Sequence, residues 1–456
     1  MPAHPRRGRL ATVWAIGAAT AVALAACSSP SGSGSSPSAS SSSSSSTSAA
    51  PAPAPSTKIA AAAACPSGSD PKTTFKLGTF LPLTGSLAFL APAAIGGSGL
   101  ALQDINAAGG VNGQKACSIS VDSSDADNPT IGSTNVKKLL QARVSAILGA
   151  ESSSVTESVL PTVSASNTVM FSPANTDDAL SGASKWYFRD AAPNKAEGDA
   201  LGKQIVADGN SKVAILVFND AYGTNLRDST QAAIEANGGT VVYGAKGKNQ
   251  EFSSKETNFS SEVQAALAAK PDAVVIIAFD QTTQIVPALV SAGFKMPKAY
   301  FVDGNLNDYT GKLPANTLNG AQGTAQGVNP NTELRKKIQA WYSNAGGGTI
   351  TSFGYGAESY DATTLLALAA VKGGDSSSAT IQANLLAVSG ANGGTVCKSY
   401  KECVGLLKQK KAIHYEGLAG IGPLNDKHDP STGYVSVYRY KGNNPTEFVN
   451  AVKGGA

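Results

Sequence analysis

The sequence of 456 residues predicts an α/β chain of two doubly wound, Rossmann-like lobes joined by a multi-strand hinge. Three observations predict it. From residue 75 onward, short apolar runs alternate with longer stretches whose apolar residues recur at helical spacing, the pattern of parallel strands and crossover helices. The alternation comes as two series of similar length, and one run, AVVIIAF (273–279), is apolar throughout, as expected of a parallel strand covered on both faces. After the second series, two strong helical stretches precede a segment, 434–440, that alternates like one member of an antiparallel pair. If those helices pack on the first lobe, the chain crosses between lobes more than once. Several crossings make a hinge, and a hinge beside a cleft implies closure around a ligand.

The first series opens with a strand over 75–81 and a helix over 93–107, stopped by Gly109 and Gly110. A strand over 117–121 and a helix over 130–142 come next, the latter with Val136, Leu139 and Leu140 on one face. Residues 145–176 then hold two short apolar runs, 146–148 and 168–171, around a helix over 155–165 whose N-cap is Ser152, Ser153 or Ser154. Both runs end in hydroxylated loops, ESSS (151–154) and SPANT (172–176). Open α/β sheets bind ligands at the carboxyl ends of their strands. Hydroxyls and free N–H groups beside a helix N-terminus suit a carboxylate there. The same residues would also serve as plain caps and turn formers. The second series runs helix 196–208, strand 213–218, helix 222–236, strand 240–243, helix 262–269, strand 273–279, helix 283–291 and strand 299–302. Helices over 334–342 and 357–371 follow.

Residues 1–26 read as a signal peptide, because Arg6, Arg7 and Arg9 precede fourteen apolar and small residues, 11–24, too few to span a bilayer. Cys27, directly after Leu24-Ala25-Ala26, resembles a bacterial lipobox, which implies acylation of that thiol and a membrane anchor. Residues 27–72, dominated by Ser, Ala and Pro, cannot bury a core and read as a disordered tether. About 45 residues of that kind reach ~35–40 Å r.m.s.. The net charge of +4 falls to +1 without the three signal arginines, and no basic stripe points to nucleic acid.

Cys65, Cys117, Cys397 and Cys403 remain, and four cysteines allow three pairings. Nearness in sequence favours Cys65–Cys117 and Cys397–Cys403. In the chain-entropy picture the first would stabilise by about 4 kcal/mol and the second by roughly half that.

The segments LGTFLPLTG (77–85), DINAAGGVNG (104–113), SSS (152–154), SPANT (172–176), NDAYG (219–223) and GPLN (422–425) are together similar to the ABC-transporter solute-binding proteins of the leucine/isoleucine/valine-binding type. The resemblance covers nearly all of 74–445 and implies the type I periplasmic-binding fold. The lobes are then expected at 73–191 with 327–425, and at 192–326 with 426–456. It implies that Ser153, Ala174 and Thr176 hold an α-carboxylate, that Tyr222 closes on the ligand and that Asp303 pairs with an α-ammonium. An ammonium taken out of water needs such a charged acceptor. Phe279 or Asp280 would line the second-lobe wall. Two residues depart from the pattern: Glu151 stands where apolar residues are usual, and Leu90 where a large aromatic is. Glu151 turned inward would favour a polar or cationic ligand group; turned to solvent, it would leave a roomier apolar pocket beside Leu90. The resemblance implies a membrane-anchored extracytoplasmic monomer that delivers an amino acid-like solute to a permease and ATPase complex, with no cofactor. Relatives of this fold bind amides, urea or aromatic acids, and a sensor presenting its closed form to a receptor would share every feature.

An enzyme fits poorly. His414 and His428, the histidines of the body, lack metal-ligand spacing, and no nucleophile elbow or phosphate-binding loop occurs. The run IGGSG (95–99) falls inside a predicted helix.

Overall fold

In the computed structural model, Ile59, residues 63–420 and residues 422–455 are described. The signal segment, Cys27 and most of the expected tether lie outside the described residues. Strands β1 (Lys76–Leu81), β2 (Cys117–Asp122), β3 (Ala146–Gly149), β4 (Val169–Ser172) and β5 (Tyr187–Arg189) form a five-stranded sheet in the order β2-β1-β3-β4-β5, parallel throughout. Its side chains alternate between two cores. Leu77, Leu148 and Phe171 belong to one, and Phe80, Ile147 and Met170 to the other. Helices α1 (Ala91–Ala107), α2 (Pro129–Gln141) and α3 (Ser153–Ala165) connect these strands, with α2 and α3 over the second core. A two-residue period with both faces buried is what a doubly covered parallel sheet requires.

The next series is α4 (Asn194–Ala207), β6 (Lys212–Val217), α5 (Ala221–Ala236), β7 (Thr240–Tyr243), α6 (Ser260–Ala268), β8 (Ala273–Ile277), α7 (Thr282–Ser291), β9 (Ala299–Phe301) and β10 (Gln322–Gln326). Every residue of β8 is fully buried. Each of its Val and Ile side chains stabilises the fold by about 1.5–3 kcal/mol relative to exposure. The chain then returns through α8 (Thr332–Asn344), α9 (Gly356–Gly373), α10 (Ser378–Ser389), β11 (Thr395–Cys397), α11 (Tyr400–Lys408) and β12 (Ile413–Tyr415), and ends in β13 (Thr432–Tyr440) and β14 (Thr446–Gly455). The second sheet has seven strands in the order β14-β13-β10-β9-β8-β6-β7, with β13 antiparallel to both of its neighbours. The antiparallel character expected for 434–440 is therefore present.

Helices α8 and α9 lie against α1 of the first lobe. The glycines of α1 make this approach possible. A Cβ on Gly97 would sit 2.0 Å from the Gly356 carbonyl oxygen, and one on Gly99 would sit 2.1 Å from the Trp341 ring. The glycine run is a helix-packing surface.

The chain thus passes between the two sheets after β5, after β10 and before β13. The crossings are bound to one another. Gly327 N–H donates to Tyr434 O at 2.7 Å, and Ser436 Oγ donates to Gly327 O at 2.8 Å. Arg189 Nε meets Asp429 Oδ1 at 2.6 Å with both side chains buried, and the His428 ring stacks on Phe188 with centroids 4.0 Å apart. His428 is a hinge residue, and His414 lies in β12.

Both disulfides, Cys65–Cys117 and Cys397–Cys403, are present. The tether expectation needs correction at its end. Ile59 is buried in the core shared by α1 and α8, Ser118 N–H donates to Ala63 O at 2.7 Å, and Cys65 is bonded to the start of β2. The Ser/Ala/Pro composition hid this docking, because one Ile and one Cys supply it. Among the described residues no helix is long and apolar enough to cross a membrane.

Candidate ligand-binding site

The loops after β3 and β4 form one wall of a cavity between the sheets. Ser152 is the N-cap of α3 and accepts from Val155 N–H at 3.3 Å. Ser153 Oγ accepts from the backbone N–H groups of Thr176 at 3.4 Å and Asp177 at 3.3 Å, which ties the two loops together. Ser172 Oγ donates to Ala150 O at 2.6 Å and accepts from Asn175 N–H at 2.9 Å. Asn175 Nδ2 in turn donates to Glu151 O at 2.9 Å. The capping and turn roles of these residues are therefore filled, and Ser152, Ser153, Ala174 and Thr176 face the cavity as well.

Glu151 belongs to the same wall. Its side chain is nine-tenths buried or more, and neither carboxyl oxygen has a hydrogen-bond partner. Burial pushes this carboxyl from 4.5 up to about 8. Leu87 and Leu90, ahead of α1, complete this side as buried apolar groups.

The opposite wall comes from the second lobe. Asp220 caps α5 by accepting from Tyr222 N–H at 3.0 Å, which fixes Tyr222 in the first turn. The Tyr222 ring stacks on Phe279 with centroids 5.4 Å apart, and Phe279 stands edge-on to Phe218 at 4.7 Å. Asp303 follows β9 and accepts from the Tyr222 hydroxyl, from Gly304 N–H at 2.8 Å and from the Tyr355 hydroxyl at 2.5 Å. Behind it, the fully buried Glu197 accepts from Asp303 N–H at 3.0 Å and from Thr324 Oγ1 at 2.7 Å. Burial raises both carboxyls. Glu197 is pushed further because the charge of Asp303 adds to desolvation, whereas the hydroxyls of Tyr222 and Tyr355 pull Asp303 back down.

Eight of the nine ligand residues anticipated from sequence line this cavity: Leu90, Glu151, Ser153, Ala174, Thr176, Tyr222, Phe279 and Asp303. Asp280 does not. It is exposed, and its carbonyl accepts from Thr283 at the start of α7, a helix-start role. Sequence reasoning missed Tyr355, Gly304, Ser152 and Leu87 in the wall and Glu197 behind it. Glu197 was findable: it shares the i, i+4, i+8 face of α4 with Leu201 and Ile205, both fully buried, so an acid sits on an apolar stripe. Tyr355 was not, because it reaches the cavity from a left-handed backbone conformation (φ 60°) at the N-cap of α9.

The lobes touch across the cleft. Ser154 Oγ donates to Asp220 Oδ2 at 2.6 Å, Ser254 Oγ donates to Asp127 Oδ1 at 2.5 Å, and Tyr355 reaches Asp303 from the first lobe. In this closed arrangement the cavity measures about 20 Å³, on the scale of one water. Among the described residues no lysine, arginine or histidine lines the cavity, and no group of acids, histidines or cysteines is arranged to hold a metal ion.

The chain has known relatives. It is similar to the chemotactic signal transduction system substrate-binding protein BasB of Halobacterium salinarum, 24% identical over 383 residues, 79% of this chain and 85% of BasB. Its fold matches the leucine-binding protein LivK of Thermotoga maritima (TM-score 0.66, 18% identity, 83% of this chain and 98% of that one). It also matches the branched-chain amino acid transporter substrate-binding protein LivJ of Streptococcus pneumoniae in complex with isoleucine (0.67, 21%, 84% and 100%). A third match is an ABC-transporter solute-binding protein of Rhodopseudomonas palustris in complex with p-hydroxybenzoic acid (0.66, 16%, 84% and 98%). Residues 74–401 match the periplasmic binding protein family. With two parallel-sheet lobes closed over a lined cavity, and most of its length matched, the chain belongs to the periplasmic binding protein family, whose members bind solutes and are not enzymes.

Proposed function

We propose that this protein captures a small amino acid-like solute outside the cytoplasm and delivers it to an ABC permease and ATPase complex. The observation that carries the reading is Asp303, a buried carboxylate that accepts hydroxyls from both lobes, Tyr222 and Tyr355, on the cavity wall. The solute's carboxylate takes the Ser153 and Thr176 hydroxyls beside Ala174, at the start of α3. Its ammonium takes Asp303, with Glu197 behind it. Segments 73–191 with 327–425 and 192–326 with 426–456 swing as the two lobes, and contacts made only when both touch the solute supply the free energy of closure. Cys27, acylated, holds the chain to the outer face of the membrane as a monomer.

An aromatic acid, the ligand in the Rhodopseudomonas palustris protein, fits less well. It would add an anion to a cavity that already faces Glu151 and Asp303 and contains no cationic side chain among the described residues. A zwitterion brings its own cation. A thermal-unfolding screen against amino acids, amides, urea and hydroxybenzoates tests this, since a ligand at 100 times its dissociation constant adds about 2.7 kcal/mol. Stabilisation by α-amino acids, lost in Tyr222→Ala, is the expected result; stabilisation by hydroxybenzoates alone would sink it.

The similarity to BasB, whose name places it in a chemotactic system, favours a second reading in which the closed form signals to a membrane receptor. Capture of a permease by the ligand-loaded protein from detergent-solubilised membranes supports transport. Capture of a receptor supports sensing.

A further inference from the structure

The amino-acid reading leaves one group in the cavity without a task. Glu151 is 4% exposed, and both of its carboxyl oxygens lack a partner. No polar neighbour donates to it. The Ser152 oxygen accepts from Val155 N–H, the Ser153 oxygen accepts from the N–H groups of Thr176 and Asp177, and Ser154 Oγ donates to Asp220. Asn175 Nδ2 is held by the Glu151 carbonyl, and Leu87 and Leu90 are apolar. Asp303, in the same cavity, has three donors. A buried carboxyl is costly to leave unmatched in either protonation state: ionised it lacks a donor, and protonated it also lacks an acceptor.

We infer that the solute's side chain carries a hydrogen-bond donor, an ammonium, amidine, guanidino or amide N–H group, which Glu151 receives on the first-lobe wall of the cavity. The inference rests on the amino-acid reading above and narrows it. Side chains that end in methyl groups leave Glu151 unmatched and are selected against. Ligands whose side chain bears such a donor satisfy it, and this discrimination resembles that of sites built to hydrogen-bond a substrate group, which reject analogues lacking it.

The test is titration calorimetry on the full chain with leucine, isoleucine, 2,4-diaminobutyrate, ornithine, glutamine, urea and acetamide as probes. The expected result is that a donor-bearing amino acid binds at least about tenfold more tightly than leucine or isoleucine, a preference that Glu151→Leu cancels or reverses. Removing one partner of a buried charged pair weakens binding on the order of 30-fold or more. Should Glu151→Leu fail to fold, Glu151→Gln serves: it keeps the shape, retains amide ligands and loses cationic ones. Leucine or isoleucine binding the wild-type chain as tightly as the donor-bearing probes would overturn the inference and leave the amino-acid reading standing. Binding of urea or a simple amide in place of any amino acid, lost in Glu151→Leu, would overturn the amino-acid reading and keep the role of Glu151. No binding in the whole set would overturn both.

Discussion

Asp303 and Glu151 face one cavity from opposite lobes, and their surroundings differ in kind. Asp303 accepts from two phenols and a backbone N–H, and the fully buried Glu197 stands behind it. Both Glu151 oxygens are without a partner. On the proposed reading the first acid, with its donors already in place, would recognise a feature that every solute of the class shares. The second would take its partner from the ligand and so discriminate within the class. The first-lobe loops are stapled together by Ser153, Ser172 and Asn175.

The largest expected effect breaks the preorganised side. Asp303→Ala leaves the ligand ammonium without an acceptor and should weaken amino-acid binding by on the order of 100-fold or more. Calorimetry checks it, with retention of the wild-type melting midpoint in the ligand-free chain as control for folding. A loss under fivefold would move the ammonium site elsewhere.

A second effect concerns the unmatched side and shows without ligand. Burial raises Glu151 from 4.5 to about 8, Glu358 to about 8 and Asp361 to about 6. An acid whose folded value is raised stabilises fully below its unfolded value, and that contribution is lost as pH rises through the folded one. The ligand-free chain should therefore weaken between about pH 4.5 and pH 8. Glu151→Gln removes one group from that slope, at most about 1.4 kcal/mol per pH unit. The titratable groups that share its cavity are Tyr222, Asp303 and Tyr355, all still present in the variant. Denaturation at pH 5 and pH 8 measures the difference, and an unchanged slope would mean that Glu151 finds a partner in solution.

The two sides also differed in how far the sequence revealed them. The first-lobe wall is local: two apolar runs and the hydroxylated loops that end them lie within residues 145–176, so turn chemistry and strand periodicity sufficed. Whether Glu151 faced inward stayed open, because the backbone of the turn between β3 and α3 decides it. The second wall gathers residues from α5, the loop after β8, the loop after β9 and the N-cap of α9, and contacts of that range leave no local pattern. The strands show the same limit. The sequence of β10, QGTAQ, has no strand signature and is a strand because β9 and β13 pair with it on either side. β8, apolar at every position, announced itself.

Two smaller effects separate recognition from closure. Tyr355→Phe removes one hydroxyl from Asp303 and leaves the ring in place. A hydrogen bond to a charged group contributes about 1.5–3 kcal/mol, so affinity should fall about tenfold or somewhat more, equally for every amino acid tried. A loss that depended on the side chain would assign Tyr355 to selectivity. Ser154→Ala touches no ligand. It removes the bond to Asp220 that joins the α3 and α5 N-termini across the cleft, a net contribution of about 0.5–1.5 kcal/mol. Affinity should fall two- to tenfold because the open form gains population, while the order of preference among ligands stays fixed. Small-angle scattering of the ligand-free variant should give a larger radius of gyration than the wild type, and saturating ligand should bring both to one value. An affinity loss without that expansion would mean that Ser154 acts on the binding loops themselves and that the cross-lobe bond contributes nothing to closure.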